Sequence, residues 1–304
     1  MTLQWLVDGI VDGTLIALGA AGATLTYATL RFGNFAHGEL VSAGGYLALI
    51  LAALVGTALP LSLTTVEGLT ATPALLLALV IGAALTGALA VAIDRLVFRT
   101  LRQRGSTIAM SMASFGVSMA LRALIESTFS ARPRYYSEEL SIAWNWDGLH
   151  LAPDRALVAV LALQLLAVVH VWLKRSRLGR EMRAVGENPL LAAVVGLDVT
   201  RVYRVTWILS GMLAGTAGVG LGLLSQVRPS MGADLLLPMF AAAILGGLGS
   251  LPGAVIGGWL IGCAEALAVD KLGAQWRSGV AFALLVLVLL LKPNGLFGRS
   301  GERL

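Results

Sequence analysis

The sequence predicts an all-α integral membrane protein, a polytopic helix bundle of eight to nine transmembrane spans with broken or re-entrant helices. Only 13% of its 304 residues are charged and 57% are hydrophobic, whereas soluble domains carry about 25% charged residues. The mean hydropathy is +0.83. The backbone of a chain in lipid is satisfied only in helices or closed barrels. Apolar runs such as "ALLLALVIGAALTGALAVAI" (74–93) and "GVAFALLVLVLLL" (279–291) are long and lack the alternation of barrel strands.

A span needs roughly 20 apolar residues. Successive spans are read at 5–29, 39–59, 73–97, 107–129, 156–173, 205–226, 234–248, 252–270 and 278–291. The seventh and ninth are short, and 234–270 reads either as two spans or as a span with a re-entrant hairpin. No signal peptide is expected. The first 20 residues hold Asp8 and Asp12 and no Lys or Arg, so the first span itself serves as the insertion signal. The chain reads as a single transmembrane domain, 1–304.

The net charge of +5 does not point to nucleic acid, because the basic residues collect in short segments between spans. Arg31, the run 95–104, the run 174–204 and the run 292–303 fall on one side. By the positive-inside rule that side is cytoplasmic, with the N-terminus external and the C-terminus internal. The external connection 130–155 contains "RPRYYSEELSIAWNWDGLH", whose Tyr and Trp residues read as an interfacial aromatic belt or as a contact for an external partner.

The cytoplasmic connection 174–204 reads "KRSRLGREMRAVGENPLLAAVVGLDVTRVYR". Asn188 suits an N-cap, Pro189 the first helical position and Gly196 the C-terminal cap. Asp198 then caps the following helix. The enclosed "LLAAVV" is too short to span and wholly apolar. It packs either under the protein's own helix ends or into a groove on a partner; the residues alone leave both open.

Glycine pairs at 211/215, 218/222, 253/257 and 258/262 have the spacing that lets membrane helices approach closely. "GNFAHGELVSAGGYL" (33–47) and "GGLGSLPGAVIGGWL" (246–260) align without gaps. Both enter from the cytoplasmic side, as a parallel internal repeat would.

Several chemistries are excluded. Each of the three lysines is followed by the wrong residue for a phosphate loop, so this chain does not bind ATP in that manner. His37, His150 and His170 are far apart, no Cys/His cluster occurs, and no nucleophile–base set is visible, so neither a metal centre nor an enzyme is expected. Cys263 reads as packing.

Charges inside spans are costly. Arg122 and Glu126 are four apart and are expected to pair with each other. Glu265 either lines a pathway or satisfies a neighbouring helix. His37 and Glu39 stand beside Gly33 and Gly38, where a helix break would expose N–H groups. On the residues alone, a short cytoplasmic turn whose His and Glu cap the next helix stands slightly ahead of that reading.

"NFAHGEL" (34–40), "SRLGREMRAVGENPLLAAVVGLD" (176–198), "AAILGGLGSLPGAVIGGWLIGCAEAL" (242–267) and "LVLVLLLKPNGLFGR" (285–299) together resemble the permease of ATP-driven branched-chain amino-acid importers, in particular the smaller of its two permease types. The resemblance spans almost the entire chain. It implies an ABC importer in a bacterial inner membrane. Its other parts would be two cytoplasmic ATPases that bind the ATP, a periplasmic substrate-binding protein and a second, related permease, a heterodimer being favoured. Glu187, Asn188, Pro189, Ala192 and Gly196 would form the short helix that docks on the ATPase. Asn34, His37, Gly38 and Glu39, with Gly246, Gly247, Gly249 and Gly253, would belong to broken elements near the translocation path. There Gly33 and Gly38 would permit the break while His37 and Glu39 cap its ends. The implied cargo is a hydrophobic, branched-chain amino acid; urea and short amides are carried by related permeases, and a stand-alone secondary transporter is a more distant alternative.

Overall fold

The computed structural model describes residues 3–58, 72–136, 143–146, 149–292 and 295–297. It is an all-α bundle. Among the described residues, eight helices are long and apolar enough to cross a membrane: α1 (Gln4–Leu30), α2 (His37–Ala58), α3 (Pro73–Gln103), α4 (Thr107–Phe129), α5 (Pro153–Arg175), α8 (Val199–Leu224), α10 (Leu251–Leu272) and the segment Ala274–Leu291, whose helix α11 starts at Arg277. Two short helices, α6 (Arg177–Glu187) and α7 (Pro189–Val194), fill the connection between α5 and α8. The doubtful region resolves into a hairpin: α9 (Met231–Gly246), with 16 residues, precedes α10.

Local signals place many of the starts. Thr72, Ser106, Ser176, Asn188, Asp198 and Ser250 each accept a bond from a backbone N–H three residues on, as N-caps do. The third span runs past the expected residue 97 to Gln103, passing through a single π-turn at Asp94–Phe98. That turn buries Asp94 and Phe98. Phe98 stacks on Trp207 with centroids 5.2 Å apart, and Phe32 completes the cluster.

Pairwise contacts fix the helix directions. Gly9 meets Cys263 and Gly13 meets Gly258, so α1 and α10 are antiparallel. Thr26 bonds to Ser210 while Leu15 lies against Gly220, so α8 also opposes α1. α2 follows α8, since His37 lies beside Ser210 and Gly44 beside Gly215. Arg31, Lys174, Arg175 and the start of α8 therefore share one end of the bundle, here the basic end.

The glycine spacings do pack helices. A Cβ on Gly218 would lie 1.9 Å from the Val41 carbonyl oxygen, and one on Gly258 would lie 2.6 Å from the Ala17 Cβ. α1 and α8 hold the core, whereas α4 buries only Met110, Ser114 and Ile125 and α11 only Ala281. Beyond the far end, Trp144–Trp146 and Leu149–Leu151 form a small antiparallel hairpin. The aromatic segment divides. Tyr135 and Trp144 are exposed, but Tyr136 turns inward and donates to the Gly45 carbonyl at 2.8 Å. Residues 137–142 and 147–148 of that segment, the basic tail from residue 298 and the end of the second span lie outside the described residues.

Candidate translocation and coupling sites

Two places combine chemistry that a plain lipid-facing bundle does not need. The first is the connection between α1 and α2. α1 ends at Leu30, and Arg31 takes the left-handed conformation, φ 56°. Residues 32–36 then turn back into the bundle. Asn34 starts α2: its side-chain oxygen accepts from Ala36 N at 3.2 Å and its carbonyl from His37 N at 3.2 Å.

Two rulers give the depth of that start. His37 Nε2 donates to Gly19 O at 2.9 Å, and Gly19 lies eleven residues before the end of α1. Its Nδ1 lies 3.4 Å from Ser210 Oγ, eleven residues after the start of α8. At 1.5 Å per residue both put His37 roughly 16 Å inside the basic end, near the middle of a bilayer.

α9 also begins inside. Ser42 Oγ accepts from Gly232 N at 2.9 Å and donates to Pro229 O at 2.9 Å. At 16 residues, α9 is roughly 24 Å long, short of the ~30 Å hydrocarbon core. Two helix N-termini thus meet in the membrane interior, one reached from each side. Such discontinuous helices expose N–H groups at depth.

The charge at this place is Glu39, 1% exposed. Arg122 on α4 reaches it through Nη2 at 2.6 Å and Nε at 3.2 Å. Glu39 Oε2 and Asn34 Nδ2 are buried with no partner among the described residues.

The second place is the α6–α7 connection at the basic end. Asn188 Oδ1 caps Leu191 N at 3.0 Å, Pro189 takes the first position, and Gly196 has φ +86°. Leu197 N bonds to Ala192 O and Gly196 N to Ala193 O, the paired bonds of a Schellman stop. Ala192 turns inward at 3% exposure, while Leu190, Leu191, Val194 and Val195 are 80%, 60%, 83% and 68% exposed. The short helix packs under its own bundle through one alanine and presents its apolar face outward.

The model of the family described as branched-chain amino acid transport system / permease component matches residues 5–289. The chain belongs to that family. It is 32% identical over 304 residues to the high-affinity branched-chain amino acid transport system permease protein BraD of Pseudomonas aeruginosa, covering 98% of this chain and 96% of that one. To LivH of Escherichia coli K12, a permease protein of the same kind of system, it is 31% identical over 310 residues, with the same coverage. The probable LivH of Methanocaldococcus jannaschii is 30% identical over 320 residues, covering 98% and 93%. This chain is accordingly a membrane permease component.

For this permease several sequence expectations need correction. Arg122 pairs with Glu39, 83 residues away, rather than with Glu126. The break is made by Arg31, not by glycine. Gly33 has open space around it, and Gly38 serves a helix crossing, where a Cβ would lie 2.7 Å from Gly232 O. His37 and Glu39 do not cap; their side chains bond to Gly19 and Arg122. Asn34, His37, Gly38 and Glu39 lie together at the start of α2. Gly246, Gly247, Gly249 and Gly253 do not join them, because they form the α9–α10 turn at the basic end. Gly247 and Gly249 have φ +97° and +96° there, and Gly246 and Gly253 touch across it.

Glu265 satisfies neighbours: it accepts from Arg277 Nε at 2.8 Å, and Arg277 also reaches Asp12. The sequence reading missed Ser42 and Ser210. A hydroxyl on an apolar helix has no local signature that separates a tertiary bond from a bond to its own backbone.

Proposed function

We propose that this permease is the membrane half of an ATP-driven importer of branched-chain, hydrophobic amino acids, and that α7 is where a separate ATPase pushes on it. The observation that carries this is the outward apolar face of α7 at the basic end. Four exposed aliphatic side chains on a rigid two-turn helix form a helix-in-groove ligand. Full burial of each is worth about 1.5–3 kcal/mol before the costs of association. A secondary transporter has no need of that face.

In this reading the basic end is cytoplasmic, as the positive-inside rule requires, and the N-terminus is external. The membrane is the bacterial inner membrane. Two ATPases, a second related permease and a periplasmic binding protein complete the assembly, and the ATP is bound by the ATPases rather than by this chain, which does no catalysis of its own. The intramembrane break at Asn34–Glu39 belongs to the translocation path. Buried donors and acceptors with no protein partner there require water or cargo. The relatives' names support the choice of branched-chain amino acids over urea and short amides.

Reconstitution of the chain with its genomic neighbours' ATPase, permease and binding-protein products tests this. ATP-dependent leucine uptake that valine and isoleucine suppress is expected, with little suppression by urea or acetamide. Concentrative uptake by this chain alone would overturn the reading.

A further inference from the structure

The two polar side chains at the start of α2 are each used at one atom only. Asn34 Oδ1 accepts from Ala36 N at 3.2 Å, which fixes Nδ2 as the other end of the amide. That Nδ2 is buried with no partner among the described residues. Glu39 gives Oε1 to both Arg122 bonds, at 2.6 and 3.2 Å, and its Oε2 is likewise buried without a partner. Asn34 is 3% exposed and Glu39 1%. A donor and an acceptor this deep forfeit their hydrogen bonds unless something other than protein supplies them.

The charge balance around Oε2 is negative. Among the described residues the charges that act on Glu39 are Arg122, Glu126 and Asp234. Asp234 has its own partner, Arg228, at 2.9 Å. Three carboxylates thus face two guanidinium groups, and an unmatched charge within a span is costly. A cation is wanted at Oε2, while Asn34 Nδ2 wants an acceptor.

A metal ion answers only the first demand. Among the described residues no three His, Cys, Asp or Glu side chains converge to hold one, and it offers nothing to the Asn34 N–H. A proton on Oε2 has the same shortcoming. A small zwitterion meets both demands. Next to Asn34, Phe35 is 38% exposed and its ring lies 5.7 Å from that of Phe240 on α9, an apolar surface beside the two polar atoms.

We infer that this break is a subsite for an α-amino acid: Glu39 Oε2 takes the α-ammonium group, and Asn34 Nδ2 with the N-terminal dipole of α2 takes the α-carboxylate. The Phe35–Phe240 surface takes the aliphatic side chain. The inference rests on the reading of the break as part of the translocation path, and adds that the permease itself checks the cargo for an ammonium group. Arg122 is a positioning residue, which holds Oε1 and leaves Oε2 to the cargo. Oε2 is shut off from solvent here, and α4 is the element whose displacement opens it. α4 is held at the break by Ser114, which accepts from Phe35 N at 3.0 Å, and by Arg122.

The test has two arms. Thermal unfolding of the permease–ATPase complex in detergent is measured with L-leucine, with 4-methylpentanoate, which lacks the ammonium, and with 3-methylbutylamine, which lacks the carboxylate. ATP-dependent leucine uptake is measured in liposomes after addition of the binding protein. Leucine is expected to raise Tm, 3-methylbutylamine to raise it less and 4-methylpentanoate to leave it unchanged. Glu39→Leu/Arg122→Leu removes the pair together; it should still assemble with the ATPase, lose the leucine shift and reduce uptake ten-fold or more. Arg122→Lys keeps the carboxylate and a cation and should keep the leucine shift, which a purely structural pair would not distinguish. Equal shifts by leucine and 4-methylpentanoate, no shift by leucine, or wild-type uptake by the double variant (water alone then satisfies Oε2) overturns the subsite while leucine import stands. Absence of ATP-dependent leucine uptake by the wild type overturns the reading beneath it, and the subsite with it.

Discussion

Arg122 on α4 places its Nη2 2.6 Å from Oε1 of Glu39 on α2, tying a helix that is otherwise mostly exposed to the deepest carboxylate of the intramembrane break. Removing one partner of a buried pair leaves an uncompensated charge, at a cost of 3–5 kcal/mol when both are dry. Arg122 is about a third exposed, so Arg122→Ala is expected to cost on the order of 2 kcal/mol. Glu39→Gln should cost less and impair uptake. The double variant Glu39→Leu/Arg122→Leu should unfold nearer to wild type than the sum of the single changes. Additive unfolding midpoints would refute the pairing.

The α7 face separates folding from coupling. Leu190→Asp and Val194→Asp alter side chains that are already in water, so thermal stability should stay within about 0.5 kcal/mol. ATPase co-purification should be lost. Gly196→Ala places a Cβ at φ +86° and should cost roughly 1–2 kcal/mol by disturbing the stop of α7. Pull-down of the ATPase alongside a melting curve distinguishes the two effects.

Two glycines five residues apart should behave oppositely. Gly33→Ala meets open space at an ordinary φ and should be tolerated. Gly38→Ala drives a methyl against the Gly232 carbonyl and should separate α2 from α9, at about 1–3 kcal/mol, as overpacking does. Equal tolerance of both in a fluorescence-detected melting assay would mean that the α2–α9 crossing is looser than described.

Tyr136, outside the spans, donates to Gly45 O, and burial pushes its phenol above the ordinary value of 10.0. A raised folded-state value means that its contribution is complete below pH 10. It is lost as pH climbs from there toward the folded value, because the unfolded chain ionises first. Tyr136→Phe should cost about 1 kcal/mol at neutral pH. The gap between variant and wild type should narrow above pH 10 in denaturant titrations; a gap that widens there contradicts the assignment.

Much of the architecture was legible because its causes are local. The apolar runs gave eight to nine spans, and Asn188, Pro189 and Gly196 announced α7 with both of its ends. The glycine pairs marked close crossings, although not which helices cross. Arg122 shows where legibility stops. Glu126 is one turn away and Glu39 is 83 residues away, and only the folded chain shows which carboxylate lies within reach. The break was misread for a similar reason: the glycines nearest it serve other needs, and a non-glycine, Arg31, adopts the left-handed turn, with its Nε bonded to Gly186 O.

By itself the sequence determined that the chain lives in lipid, that eight or nine helices cross, which end is basic and where a short apolar helix is capped. These follow from composition, period and neighbours within a few residues. Tertiary structure decided that α2 and α9 begin in the membrane interior, that Glu39 answers to Arg122 and that α7 turns its apolar face outward. Depth, pairing and exposure are distances between segments remote in the chain, and they exist only once close helix packing has brought those segments together.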